Sequence, residues 1–279
     1  MLLSVAVLWG VNFVAAKIAL QSFGIWTFRT ISFGLGAGLL AMAAPLLGAS
    51  LKVDKPIDRF YLAIAGIFSC AGFGAFSAIA LLNASTGRTA ICVYTMPIWV
   101  TLLSRLVLKE DLTKPRLLSL LFGIVGLTVL LIPLMQAGIS YGAFAAIGAA
   151  ISWAIGTVFL KWAKVKASPL AIAVWQVLAG AMASGVILFA VNEEPWTIVT
   201  GSAWAGLIYS TVIGTVLAYL LWFQIIQRLP SSTASLGTLL VPVFGVIASF
   251  IFLSEIPSIT DVIGFSFIFI ASIIALKFG

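Results

Sequence analysis

Apolar runs of membrane-spanning length follow one another along almost the whole chain of 279 residues. A helix needs roughly 20 apolar residues to cross the hydrocarbon core of a bilayer. Because 62% of the residues are hydrophobic and only 8% are charged, too little polar surface remains for a fold in water. The sequence therefore predicts an all-α membrane protein without a separate soluble domain.

The hydrophobic runs and the breakers between them predict ten transmembrane helices. The connections are short, about 4–10 residues, as expected between packed antiparallel helices. The first run is interpreted as a span and not as a cleaved signal, because it lacks a basic leader and carries Lys17 after its apolar part. The predicted spans are residues 2–20, 25–48, 59–82, 87–108, 116–133, 140–161, 169–191, 199–227, 232–253 and 258–278.

The basic residues are distributed unevenly between the two sides of these spans. If both termini are cytoplasmic, twelve of the fifteen Lys and Arg residues fall on that side, and only Lys17, Arg29 and Arg88 lie near the other ends of their helices. The positive-inside rule then predicts cytoplasmic termini, and we expect a place in the bacterial inner membrane with lipid as the surrounding partner. The same rule explains the net charge of +7 without a nucleic-acid partner.

The residues that most enzymes and metal sites use are missing from the sequence. It contains no histidine, no GxxxxGK or HExxH motif, and two cysteines, Cys70 and Cys92, which both lie in apolar spans. We therefore predict neither an enzyme nor a cofactor or metal site. The acidic residues also avoid the centres of the spans, so we expect a uniporter or exporter moving its substrate down a gradient, or coupling through unidentified groups. They are Asp54, Asp58, Glu110, Asp111, Glu193, Glu194, Glu255 and Asp261.

A pattern in the first half of the chain recurs in the second half at an offset of 144 to 145 residues. The matched pairs are Trp9 with Trp153, Lys17 with Lys161, Pro97 with Pro242 and Glu110 with Glu255. Because a repeat of five helices has an odd number of spans, its second copy enters the membrane from the opposite side. The sequence therefore predicts two inverted five-helix repeats, residues 1–136 and 137–279, that together form one transmembrane domain.

Several of these short motifs resemble the EamA family of the drug/metabolite transporter superfamily. They are Trp9-Gly10-Val11-Asn12, Phe28-Arg29 and the repeated proline with its terminal glutamate. The resemblance covers essentially the whole chain, and the layout is similar to that of an aromatic amino acid exporter of the family. It implies a secondary transporter that works by alternating access around a site near the membrane midplane.

Polar and aromatic side chains inside the spans indicate where a substrate could bind, because a polar group is costly in lipid unless it faces a partner or a cavity. Amide side chains have several hydrogen-bonding atoms to satisfy, although contact between helices explains them equally well. Isolated aromatic residues also serve as anchors at membrane interfaces. The predicted substrate-binding residues are Trp9, Asn12, Tyr94, Trp99, Trp153, Trp175, Gln176 and Tyr209.

Two arginines and two prolines carry more specific predictions. Arg29 and Arg88 lie just inside the ends of their spans, where a guanidinium group can reach the interface or meet a substrate carboxylate. Pro97 and Pro242 interrupt helices at matching points of the two repeats, which predicts a pair of hinges.

The leading functional hypothesis is a monomeric carrier for a small amphipathic metabolite, above all an aromatic amino acid, because tryptophan and tyrosine rings offer stacking beside a few polar groups. A carrier for another metabolite or a drug-like compound remains an alternative. A channel is less favoured, because no segment resembles a selectivity filter. A non-transporting scaffold would need larger loops for contact with partners.

Overall fold

The computed structural model describes residues 1–136, 141–194, 198–254, 256 and 258–278, and helices make up most of them. The predicted all-α class is confirmed. The helices are α1 (Leu2–Ala19), α2 (Ile25–Leu46), α3 (Pro56–Gly66), α4 (Phe73–Asn83), α5 (Thr86–Val93), α6 (Met96–Leu103), α7 (Lys114–Gln136), α8 (Tyr141–Ala163), α9 (Pro169–Val191), α10 (Gly201–Ile208), α11 (Ala218–Arg228), α12 (Ser231–Gly237), α13 (Val241–Leu253) and α14 (Ile259–Phe278). Three π-helical segments (Ile67–Gly72, Ser104–Leu108 and Tyr209–Leu217) and one 3₁₀ turn (Thr238–Leu240) complete the helical part.

Within the described ranges, eight helical segments are long and apolar enough to cross a membrane. They are Leu2–Ala19, Ile25–Leu46, Pro56–Asn83, Thr89–Leu108, Tyr141–Ala163, Pro169–Val191, Gly201–Arg228 and Thr233–Leu253, and a shorter apolar stretch, Val262–Ile274, lies in α14. With α7 and α14 included, a helical segment coincides with each of the ten predicted intervals. The largest shift at the start of a span is at Pro56, where the helix begins three residues before the predicted start at residue 59, because proline is well suited to the first turn of a helix.

Small residues allow the helices to approach one another closely. A Cβ atom added at Gly126 of α7 would lie 2.8 Å from the carbonyl oxygen of Gly264 in α14. A Cβ atom at Gly10 of α1 would lie 2.8 Å from the backbone nitrogen of Gly245 in α13. Both crossings therefore depend on glycine, as is common where helices associate inside a membrane.

Helices break at both of the predicted proline positions. Between α5 and α6 the chain makes a turn at Tyr94 and Thr95, and Pro97 follows in the first turn of α6. The 3₁₀ turn precedes α13, whose first turn holds Pro242. Proline has no N–H to donate to the preceding turn, so each new helix starts where that loss costs least. A hinge movement at these breaks stays a prediction.

The ends of the helices show the same details in both halves of the chain. Lys109 and Ser254, 145 residues apart, have left-handed φ values of 55° and 57° and end the helices that precede them. The glutamates next to them were part of the predicted repeat. Glu110 binds the first turn of α12, because its Oε1 accepts a hydrogen bond of 3.0 Å from the Ser231 N–H, whereas Glu255 lies outside the described residues.

Two lysines bind helix ends in the same manner. The Lys17 ammonium donates to the carbonyl oxygens of Leu81 and, at 3.0 Å, Ala84 at the end of α4. The Lys161 ammonium donates to two carbonyl oxygens at the end of α11, each at 2.8 Å. The last carbonyl groups of a helix have no partner within it and carry partial negative charge, so each lysine satisfies them.

Candidate functional site

A cavity lies in the main hydrophobic core, where α1 meets α2, α4, α8, α11 and the break between α5 and α6. The volume of the cavity is about 40 Å³. The cavity is therefore narrow in this conformation. It is lined by Trp9, Asn12, Phe13, Ala16, Arg29, Phe33, Phe73, Ser77, Leu81, Tyr94, Met96, Trp153, Gly214, Thr215 and Tyr219.

Two tryptophans from opposite halves of the chain meet at this cavity. The ring centroids of Trp9 and Trp153 are 5.2 Å apart at an interplanar angle of 86°, an edge-to-face geometry that aromatic pairs favour. The Tyr219 ring lies 5.9 Å from each of them. The Trp9 Nε1–H donates to the Gly214 carbonyl oxygen at 3.1 Å, which holds α1 against the π-helical segment that precedes α11. One wall of the cavity is thus aromatic and rigid.

The guanidinium group of Arg29 supplies the positive charge of the cavity. Arg29 lies near the start of α2, and its side chain reaches α4, where Nε donates to the Gly74 carbonyl oxygen at 2.9 Å and Nη2 donates to the Ser77 hydroxyl at 3.0 Å. The Phe28 and Phe33 rings have their centroids 4.8 and 5.8 Å from the guanidinium carbon. Cation–π contact of this kind favours the charged group in an apolar environment.

Asn12 and Tyr94 add polar atoms to the same cavity. Buried Asn12 Oδ1 has no hydrogen-bond partner among the described residues, and the amide lies directly against Gly214, whose missing side chain leaves room for it. Tyr94 lies in the turn between α5 and α6, with its ring centroid 6.0 Å from that of Phe13. The break in the helix therefore brings a tyrosine to the cavity wall.

The sequence matches the model of the EamA-like transporter family over residues 1–132 and again over residues 140–277. The chain belongs to this family. The matches cover nearly the whole sequence, so the resemblance seen in the short motifs is confirmed for the family. Its closer likeness to an aromatic amino acid exporter stays a prediction.

Relatives of this EamA-like chain occur in several lineages. It is similar to the uncharacterized transporter YoaV of Bacillus subtilis, with 24% identity over 94% of this chain and 91% of YoaV. Protein PecM of Dickeya dadantii is 31% identical over 67% of this chain and 64% of PecM. A solved crystal structure is 20% identical with a TM-score of 0.76, covering 98% of this chain and 94% of that protein, which supports the fold.

Four of the residues predicted to bind substrate lie outside the cavity lining. Trp175 lies beside the loop after α2, where its Nε1–H donates to the Leu51 carbonyl oxygen at 3.2 Å. The Tyr209 hydroxyl donates to the Leu8 carbonyl oxygen at 3.3 Å on the flank of α1. Trp175 thus joins its helix to a loop, and Tyr209 joins its segment to α1, in this conformation.

Gln176 and Trp99 occupy similar positions between helices. Gln176 Oε1 accepts a hydrogen bond of 2.9 Å from the Ser69 hydroxyl, joining α9 to the π-helical segment between α3 and α4. The Trp99 ring packs beside Val100 and Ala154 at the crossing of α6 and α8. The side chain of Arg88, the second arginine predicted to contact a carboxylate, lies outside the described residues.

The cavity also has walls that were not in the predicted set. Phe33 follows Arg29 by four residues on α2 and so shares its face, a spacing that could have identified it. Thr215 and Tyr219 are polar or aromatic residues of the eighth predicted span and were detectable on that ground. Ser77 and Met96 carried no such signal, because each resembles an ordinary packing residue of an apolar helix. Their role depends on which helices become neighbours.

A second pocket opens at the other end of the bundle. At that end the loop after α8 meets the loop after α2. The Ser168 hydroxyl joins them by donating to the Ser50 carbonyl oxygen at 2.9 Å. Leu160 and Ile226 in this pocket correspond to Ala16 and Leu81 of the central cavity at offsets of 144 and 145 residues. The pocket is lined by Leu160, Lys161, Lys164, Val165, Ile172, Ile226 and Gln227.

Proposed function

We propose that this EamA-like chain is a secondary transporter that carries a small amphipathic metabolite by alternating access between two inverted repeats. The observation that supports it most is the cavity where Trp9 and Trp153, from corresponding positions of the two halves, meet beside a guanidinium group. The second pocket supports the alternation, because its Leu160 and Ile226 match cavity residues and lie at the opposite end of the bundle. Two similar halves can exchange conformations around a shared site.

We propose an aromatic amino acid as the cargo and export as its direction. Trp9, Trp153 and Tyr219 offer aromatic faces and edges on which a ring can stack. Asn12 and Arg29 offer hydrogen-bonding groups for a polar head. The protein acts as a monomer in the bacterial inner membrane, with both termini in the cytoplasm.

Counterflow with purified protein in liposomes tests the transport function. Vesicles are loaded with unlabelled tryptophan or phenylalanine, and uptake of the labelled compound is followed over time. A carrier gives transient, saturable accumulation that depends on the internal substrate. Flux without exchange and without saturation would identify a channel, and no flux for a broad panel of metabolites would contradict transport.

Cysteine accessibility tests the alternation separately. In a variant in which both native cysteines are replaced by alanine, Ala16→Cys reports on the central cavity and Leu160→Cys reports on the matching pocket. Substrate is expected to change their reaction with a membrane-impermeant maleimide in opposite directions. Parallel changes at both positions would argue against alternating access.

A further inference from the structure

The guanidinium group of Arg29 is a buried positive charge held entirely by neutral partners. Only 6% of the residue is exposed, and the acceptors of its hydrogen bonds are the Gly74 carbonyl oxygen and the Ser77 hydroxyl. A charge taken out of water normally needs an opposite charge nearby, because hydrogen bonds to neutral groups replace only part of its hydration. Among the described residues, this EamA-like chain supplies the position of the charge without supplying a counter-ion.

Acidic side chains lie elsewhere in the part of the chain that the structure describes. The acidic residue next to the start of α2 is Glu193, and its Oε2 accepts hydrogen bonds from the backbone N–H groups of Trp26 and Thr27 at 2.9 and 3.0 Å. The ion pairs of Lys52 with Asp54 and of Arg105 with Asp111 are both exposed. The cavity lining contains no carboxylate among the described residues.

The guanidinium group still has donors to offer. It carries five N–H groups in a planar fork; Nε and one N–H of Nη2 are engaged, and for Nη1 the described residues provide no acceptor. The Phe28 and Phe33 rings pack against the guanidinium group and limit its movement. A planar fork that is fixed in place and partly unengaged is suited to a carboxylate, which can accept two parallel hydrogen bonds.

We propose that Arg29 binds the carboxylate of the cargo, so that the substrate class is an organic acid or zwitterion with an aromatic or apolar body. This inference rests on the proposed transport function and names the group that the central cavity recognises. The cargo brings the counter-ion that the fold omits. Binding and charge compensation are therefore the same event, and a neutral analogue of equal shape binds more weakly.

A matched acid and amide test the proposal. Indole-3-propionate and indole-3-propionamide have nearly the same shape and differ in charge, and each is measured by counterflow and by the thermal stabilisation that it gives to the purified protein. We expect the acid to bind at least about tenfold more tightly than the amide in the unmodified protein, as for a charge-assisted pair. In Arg29→Gln the acid is expected to lose about that factor while the amide changes less than about twofold.

Two further variants make the result specific. Arg59→Gln removes an arginine that lies at the other end of the bundle, where it donates to the Val53 carbonyl oxygen, and it should keep the preference for the acid. Arg29→Lys retains the charge without the fork and should keep an intermediate preference, which also covers the case in which Arg29→Gln fails to fold.

The outcomes separate this proposal from the transport function. If Arg29 variants weaken acid and amide by the same factor, Arg29 is a structural residue and the proposal is overturned. If counterflow fails for both compounds while the acid still stabilises the purified protein through Arg29, the anion site stands and transport does not. If neither compound stabilises the protein, the site does not recognise this class and the proposal is overturned.

Discussion

Lys17 and Lys161, 144 residues apart, bind the ends of corresponding helices, whereas Arg29 has no such counterpart. The position 145 residues after Arg29 is Val174, an aliphatic residue on α9. The repeated lysines stabilise the fold, while the unrepeated arginine faces the cavity. The two halves of this EamA-like chain thus agree where helices are held together and differ where a ligand would bind.

The residues that bind Arg29 also differ from those at the corresponding positions of the second half. Gly74 and Ser77 of α4 are small and polar and accept hydrogen bonds from Arg29. Their counterparts 145 residues later are Tyr219 and Trp222 of α11, whose large rings are buried. Most of the cavity lining comes from the first half of the chain, and the second half contributes Trp153 and Tyr219 together with Gly214 and Thr215.

An arginine at position 174 should lower the stability of the protein more than any other change proposed below. Val174→Arg would bury a guanidinium group at a position that packs in the main hydrophobic core, at a cost of about 3–5 kcal/mol or more. The expected result is poor expression and a lowered unfolding temperature in detergent. Val174→Leu is the control, because it enlarges the side chain and keeps it apolar. An arginine tolerated there without loss of stability would break the contrast between the halves.

The paired lysines should show equal effects. Lys17→Met and Lys161→Met each leave two helix-end carbonyl groups without their donor, which is expected to cost about 1.5–3 kcal/mol in either case. Thermal unfolding of the purified variants measures the loss. A large loss of stability for one variant and none for the other would show that the two lysine contacts do not stabilise the fold equally.

The paired tryptophans should respond unequally to the same change. Trp9→Phe removes the hydrogen bond to the Gly214 carbonyl oxygen and is expected to lower the free energy of unfolding by about 1–2 kcal/mol. Trp153→Phe should cost less than about 1 kcal/mol, because the structure records no hydrogen bond of its indole nitrogen within the described ranges. Equal losses of unfolding free energy in chemical denaturation would mean that the smaller ring, and not the lost hydrogen bond, destabilises the protein at both positions.

The smallest expected effect concerns a contact that joins the two halves. Glu193→Gln weakens the charged acceptor at the start of α2 and should cost about 0.5–1 kcal/mol. The neighbouring exposed residue provides the control, because Glu194→Gln changes the same charge without a recorded contact to α2. If both variants unfold at the same temperature as the unmodified protein, the contact contributes little.

Much of the fold could be predicted from the sequence because lipid restricts the choices. Apolar runs separated by short breakers predict helices, and Pro97 and Pro242 marked the two breaks that the structure shows. The offset of Trp9 and Trp153 indicated corresponding positions, and these residues meet at the cavity. Periodicity and repetition carried that information.

The rest of the site could not be predicted, because a helix that is apolar on all sides does not show which face it turns toward a cavity. Trp175 and Gln176 are adjacent on α9, yet Trp175 contacts a loop and Gln176 contacts Ser69. The neutral partners of Arg29 come from a helix about 45 residues later in the chain. Contacts of that range depend on which helices become neighbours.

The lysine contacts have a consequence for the order of synthesis. When α1 leaves the ribosome, Lys17 follows an apolar segment and its carbonyl partners on α4 have not yet been made. The same holds for Lys161 and the end of α11, which is completed about 65 residues later. The first helix of each half is therefore made before the carbonyl groups that its lysine binds, which belong to the third helical segment of that half.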